Sequence, residues 1–135
     1  MGLKYLWDTN TVIYYLQNQF PLPAEKFIDS ILNDFQPAIS VITEIELLCW
    51  KLATETDIGL IQKFITNSVV YELDHEVKLT TIEIRKQSKL KLPDSIIAAT
   101  ALTKGLTLIS RDTSDFNKIK GLEFVDPFID NENPR

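Results

Sequence analysis

A three-layer α/β/α fold, with helices on both faces of a mostly parallel, roughly five-stranded sheet, is what this sequence predicts. Three observations carry that expectation. Short apolar runs at 3–7, 37–41, 68–73, 106–110 and 121–126 read as strands. Longer segments with helical periodicity lie between most of them, and strands that alternate with helices pair in parallel. The composition, 44% apolar and 24% charged over 135 residues, is that of a globular domain with enough chain for a real core.

The first run is aromatic and ends at Asp8, and residues 9–19 then show helical spacing at Val12, Tyr15 and Leu16. Prolines at 21 and 23 break the chain, and Pro23 suits the first turn of the next helix, 24–35. Its apolar stripe is Phe27, Ile28, Ile31, Leu32 and Phe35. Pro37 fits the first position of the second strand. Residues 42–54 read as a helix, 57–67 as a short further helix, and 68–73 as a weaker third strand. An amphipathic helix over 74–90 carries Val77, Leu79, Ile82 and Ile84 together with Arg85, Lys86 and Lys89 of a basic cluster that Lys91 completes. The small-residue apolar helix at 93–105 closes on Gly105, placed as a C-cap. The fourth strand, a polar loop over 112–120 and a short fifth strand complete the pattern. One domain spans 1–130, and 131–135 reads as a frayed tail.

Several function classes drop out on composition. One cysteine and one histidine exclude a zinc site of the usual Cys/His type and any internal disulfide. Cys49 lies in an apolar run and is expected to be a buried thiol; His75 opens a helix and is expected at the surface. No apolar stretch reaches membrane-spanning length and no leader pattern opens the chain, which fits the cytoplasm. A net charge of −5 opposes nucleic-acid binding as a whole-molecule property, although the basic cluster at 85–91 leads directly into Asp94. The plain account of that cluster is a solvated helix face.

Four acids stand out: Asp8, Glu46, Asp94 and Asp112, each read at a point where strand gives way to helix. Ligands of open α/β sheets bind outside the carboxyl ends of the strands. Carboxylates gathered there repel one another unless protonated or bridged by a cation, so an all-oxygen cluster points to Mg²⁺ or Mn²⁺. Each acid also has a structural account. Asp8 and Asp94 suit N-caps, Thr43 to Glu46 matches a capping box, and Asp112 and Asp115 suit turns.

The same residues resemble a family. Asp8-Thr9-Asn10, Ile39 to Thr43 leading to Glu46-Leu47, Leu92-Pro93-Asp94 with Ile97 to Ala101, and Leu108 to Phe116 are similar to the four motifs of PIN-domain ribonucleases, and most of all to VapC toxins of toxin–antitoxin pairs. The resemblance implies an α/β/α fold, RNA cleavage with Mg²⁺ or Mn²⁺ by direct hydrolysis leaving a 5′-phosphate, a homodimer, and a cognate antitoxin. It implies Asp8 and Asp94 as metal ligands, with Glu46 completing the site directly or through water. Asp112 matches a variable fourth position whose role Asp115 can share, and Thr9, Asn10 and Thr43 would orient the acids. A glycine that often follows the glutamate-leucine pair is absent here.

Two other readings stay open at this point. Asp8-Thr9-Asn10-Thr11 approaches the nucleophile motif of haloacid-dehalogenase-like phosphotransferases, but Asn10 stands where that chemistry needs an acid. A non-catalytic interaction module, its acids serving only as caps, is the other.

Overall fold

The structure, a computed structural model, describes residues 2–129. Its elements run β1 (Tyr5–Trp7), α1 (Thr9–Leu16), α2 (Leu22–Asp34), β2 (Ala38–Ser40), α3 (Val41–Leu48), α4 (Glu55–Thr66), β3 (Val69–Tyr71), α5 (His75–Gln87), α6 (Leu92–Lys104), β4 (Thr107–Ile109), α7 (Thr113–Phe116) and β5 (Phe124–Val125). The strands form one sheet in the order β3-β2-β1-β4-β5, and every pairing is parallel. The expected α/β/α class holds, with a sheet that is parallel throughout. The tail at 131–135 lies outside the described residues.

Side-chain alternation along the short strands builds two cores. Leu6, Ala38 and Leu108 face α5 and α6, where they meet Val77, Ile84, Ile97 and Ala98. Tyr5, Trp7, Ile39 and Ile109 face the other way, toward Val12, Phe27, Ile28, Ile31, Ile61 and Phe64. Burial on both faces is why the strands read as continuous apolar runs. Gly105 closes α6 at φ +67°, the left-handed conformation expected of that C-cap.

Several local expectations are corrected. Helix α3 starts at Val41, capped by the Ser40 hydroxyl, which accepts from the Ile42 amide at 3.1 Å. Thr43 is therefore inside the helix and buried, and no capping box runs from Thr43 to Glu46. Serine is among the best N-caps, and β2 delivers it without a linker, so the cap lies three residues before Thr43 and the helix begins one residue before the expected 42. Asp94 is not an N-cap either; α6 begins at Leu92 behind Lys91, with Pro93 in its first turn. Cys49 is exposed because it caps the outer end of α3. On α5 the inward stripe is Val77, Thr81 and Ile84, whereas Leu79 and Ile82 face solvent. Residues 113–116 form a short helix within the expected loop.

Among the described residues a capping box forms at α4. The Thr54 hydroxyl accepts from the Asp57 amide at 3.1 Å, and the Asp57 carboxylate accepts from the Thr54 amide at 2.9 Å. Thr54→Ala is expected to cost about 1 kcal/mol of unfolding free energy in urea titration, whereas Thr54→Ser should be nearly neutral. Equal stability of the alanine variant would show that the cap does not hold the helix.

Candidate active site

Strand order determines where the acids meet. The chain adds β2 and β3 on one side of β1, then crosses over to add β4 and β5 on the other. The reversal leaves a crevice between the carboxyl ends of β1 and β4, the position where open α/β sheets bind ligands. Asp8 follows β1 directly, and Asp112 lies three residues beyond Ile109, the end of β4. The ladder continues into the site, since the Asp8 amide donates to the Ile109 carbonyl at 3.2 Å.

Asp8 caps α1. Its Oδ1 accepts from the Thr11 amide at 2.9 Å and lies 2.6 Å from the Thr11 hydroxyl. That hydroxyl is also 2.8 Å from the Ile109 carbonyl, which locks the cap to β4. Ser110, fully buried, hydrogen-bonds the Asp8 carboxylate and accepts from the Asp112 amide at 3.0 Å. One hydroxyl thus bridges two of the acids. Burial raises the Asp8 pKa above its ordinary value; the Ser110 and Thr11 hydrogen bonds oppose the shift, and the Asp112 charge adds to it.

Glu46 lies in the second turn of α3 and reaches the site through α1. The Thr9 hydroxyl donates to Glu46 Oε1 at 2.5 Å and stands 3.1 Å from the Thr43 hydroxyl. Thr9 and Thr43 therefore join the helix carrying Glu46 to the helix capped by Asp8. Asn10, by contrast, is exposed on α1 and takes no part in the hydrogen bonds that hold these acids.

Asp94 is the third residue of α6, half-buried. It does not sit at a strand end. It follows a helix-to-helix connection and arrives because α6 returns across the sheet to feed β4. Desolvation raises its pKa first, followed by the charges of Asp112, Glu46, Asp8 and Asp115. Every candidate acid therefore acts on this one carboxyl. Partial desolvation, then the adjacent Asp115, also raises Asp112.

Asp94, Asp112 and Asp115 line an open cleft of about 230 Å³, and Lys89, Lys91 and Lys118 line it with them. Sequence reasoning gave no role to Thr11, Ser110 or Lys118. Asp8 was legible as an N-cap, but the Thr11 hydroxyl that also bonds it carried no signal of its own. Ser110 and Lys118 carried no local signal. Arg111, beside Asp112, is stacked 3.9 Å from the centre of the Phe128 ring and so turned onto the aromatic cluster.

The donor set is all carboxylate oxygen, which suits hard divalent cations. Carboxyls that raise one another's pKa gain from a nearby cation. Among the described residues no three Asp, Glu, His or Cys side chains close into a ready metal cage. This is compatible with Mg²⁺, which keeps several waters and commonly takes one or two carboxylates.

A family model described as the PIN domain matches residues 5–122, a span that includes all of these acids. The chain is 30% identical over 132 residues to a protein named tRNA(fMet)-specific endonuclease VapC from Salmonella typhimurium, a match covering 92% of this chain and 98% of that protein. Among solved structures, DNA-bound VapBC from Salmonella typhimurium superposes with a TM-score of 0.78 at 27% identity, covering 93% of this chain and 98% of that one. A toxin–antitoxin complex from Klebsiella pneumoniae superposes with a TM-score of 0.74 at 29% identity, covering 92% and 98%.

Proposed function

The chain belongs to the PIN-domain family, and from that premise we propose that it is a metal-dependent endoribonuclease acting as the toxin of a toxin–antitoxin pair. The observation that carries the reading is that Asp94, Asp112 and Asp115 line one cleft, with Asp8 at the end of β1 joined to Asp112 beyond β4 through Ser110. Membership of this family displaces the phosphotransferase reading of residues 8–11.

Asp8 and Asp94 would hold Mg²⁺ or Mn²⁺, with Glu46 completing the site and Asp112 or Asp115 supplying a further oxygen. When bound, the ion supplies Lewis acidity for activating water and for offsetting charge on the phosphate. The chain's own residues do the rest. Thr11 and Ser110 fix the Asp8 carboxylate, and Thr9 fixes Glu46. The crowded acids stay poised for a cation because no arginine or lysine forms an ion pair with them among the described residues.

An RNA substrate is supported by the relative named for tRNA(fMet), which makes that tRNA the first substrate to assay. A cognate antitoxin is supported by the solved toxin–antitoxin complex from Klebsiella pneumoniae. A homodimer is supported by exposed Ile45 (52%), Leu48 (58%) and Leu52 (83%) along and just beyond α3. Leu47 and Phe64, equally apolar in sequence, belong to the core instead. Among the described residues no helix is long and apolar enough to cross a membrane. A cytoplasmic location is part of the toxin reading, since the RNA substrate it requires lies there.

The purified chain is expected to cut RNA in Mg²⁺ or Mn²⁺, to stop in excess EDTA, and to resume when Mg²⁺ is restored. Undiminished cleavage in chelator would remove the metal from the reading. RNA left intact with both ions would favour the non-catalytic module.

A further inference from the structure

The basic cluster at 85–91, which by itself reads as a solvated helix face, is divided by the fold. Lys86 pairs with Glu83 at 3.8 Å on the outer surface of α5. Arg85 is exposed, but its Nη1 donates to the Leu90 carbonyl at 2.6 Å. The buried Ser95 hydroxyl donates to the Lys91 carbonyl at 2.9 Å and lies 3.3 Å from that of Leu90. These bonds fix the backbone between α5 and α6, the segment that carries Lys89 and Lys91. Lys118 comes from a separate segment just beyond α7, and all three lysines are exposed walls of the acidic cleft.

Lysines beside three carboxylates would be expected to pair with them. Ion pairs among the described residues are Lys86–Glu83 and Lys104–Asp74 only, so Lys89, Lys91 and Lys118 remain available to another anion. A chain of net charge −5 that handles a polyanion needs local positive charge where the strand enters. Lysine suits that role as a mobile point charge for phosphate.

We propose that Lys89, Lys91 and Lys118 form a two-sided clamp on the RNA backbone at the cleft, gripping phosphates next to the one being cut. The clamp rests on the nuclease reading. It names a part of the substrate, the sugar-phosphate backbone, that sequence-independent contacts hold in register.

The test uses the full chain carrying Asp94→Asn to block cleavage, titrated in Mg²⁺ with a labelled single-stranded oligouridylate at graded KCl. For a single strand, each lysine-to-glutamine change should lower the magnitude of the slope of log affinity against log salt by about 0.7, and the triple variant by about 2. Lys118→Arg should keep the slope. Lys120→Gln, an exposed neighbour outside the cleft walls, should leave it unchanged. An unaltered slope in the triple variant overturns the clamp, as does an equal loss from Lys120→Gln, which would trace the effect to net charge. The nuclease reading fails separately, if the unsubstituted chain leaves RNA intact in Mg²⁺ and in Mn²⁺.

Discussion

Asp94→Asn is expected to cut RNA cleavage by about a thousandfold or more, because metal-based charge stabilisation is worth several kcal/mol in the transition state. The fold should survive, and the metal-free protein should melt no lower than the unsubstituted chain. Asp94 lies inside the first turn of α6 without capping it, so its amide analogue removes no cap. What it removes is a half-buried charge facing four other carboxylates. The sign of the pH effect follows. The folded carboxyl titrates above the unfolded value of 3.8, so the metal-free protein loses stability as pH rises through the interval above 3.8. The asparagine variant should lack that part of the loss. Asp8→Asn should be similarly inactive and still folded, since asparagine is also a favoured N-cap and its Oδ1 can accept from Thr11. Cleavage assays paired with melting curves in EDTA decide both. Cleavage by Asp94→Asn within tenfold of normal would remove Asp94 from the metal site, and a large drop in melting temperature would make its role structural.

Glu46→Gln should lower cleavage by about a hundredfold or more, whereas Glu44→Gln should stay within a few-fold. Residues two apart on a helix point about 200° away from each other, so the pair cannot share one site. The fold favours Glu46: Thr9 donates to its carboxylate, and its charge is among those that raise Asp94. Glu44, in the first turn of α3, contributes at most about 0.3–1 kcal/mol through the helix dipole. Glutamine at 46 keeps the oxygen that accepts from Thr9, so the substitution isolates the charge. With Ser40 as the N-cap of α3, a capping role can no longer account for any loss seen in Glu46→Gln. Full activity of Glu46→Gln would return that residue to a scaffold role, and inactivity of Glu44→Gln would mean that α3 presents its other face.

Features written in short-range periodicity were legible before the fold. Each of the five strands and most of the helices lie where their apolar spacing puts them, because burial on one or both faces imposes that spacing locally. Gly105 was equally plain, since a left-handed C-cap selects glycine. Helix starts were less secure. Ser40 and Thr43 both suit an N-cap, and the end of β2 chose Ser40. Exposure of Cys49, Leu79 and Ile82 was hidden for a related reason, as an apolar side chain does not announce which neighbour it lacks.

The site divides along the same line. By itself the sequence determined which carboxylates to suspect and that their chemistry favours a hard cation. Only the tertiary structure decided that β4 lies beside β1, which makes the ends of those strands the shared crevice. It also decided that Asp94 reaches the crevice from a returning helix, that Ser110 joins Asp8 to Asp112, and that Lys118 lines the same cleft as Lys89 and Lys91. The reason is physical: helix period and capping act over a few residues, whereas strand order arises from burying two faces of one sheet at once. No local pattern records which distant strand becomes the neighbour.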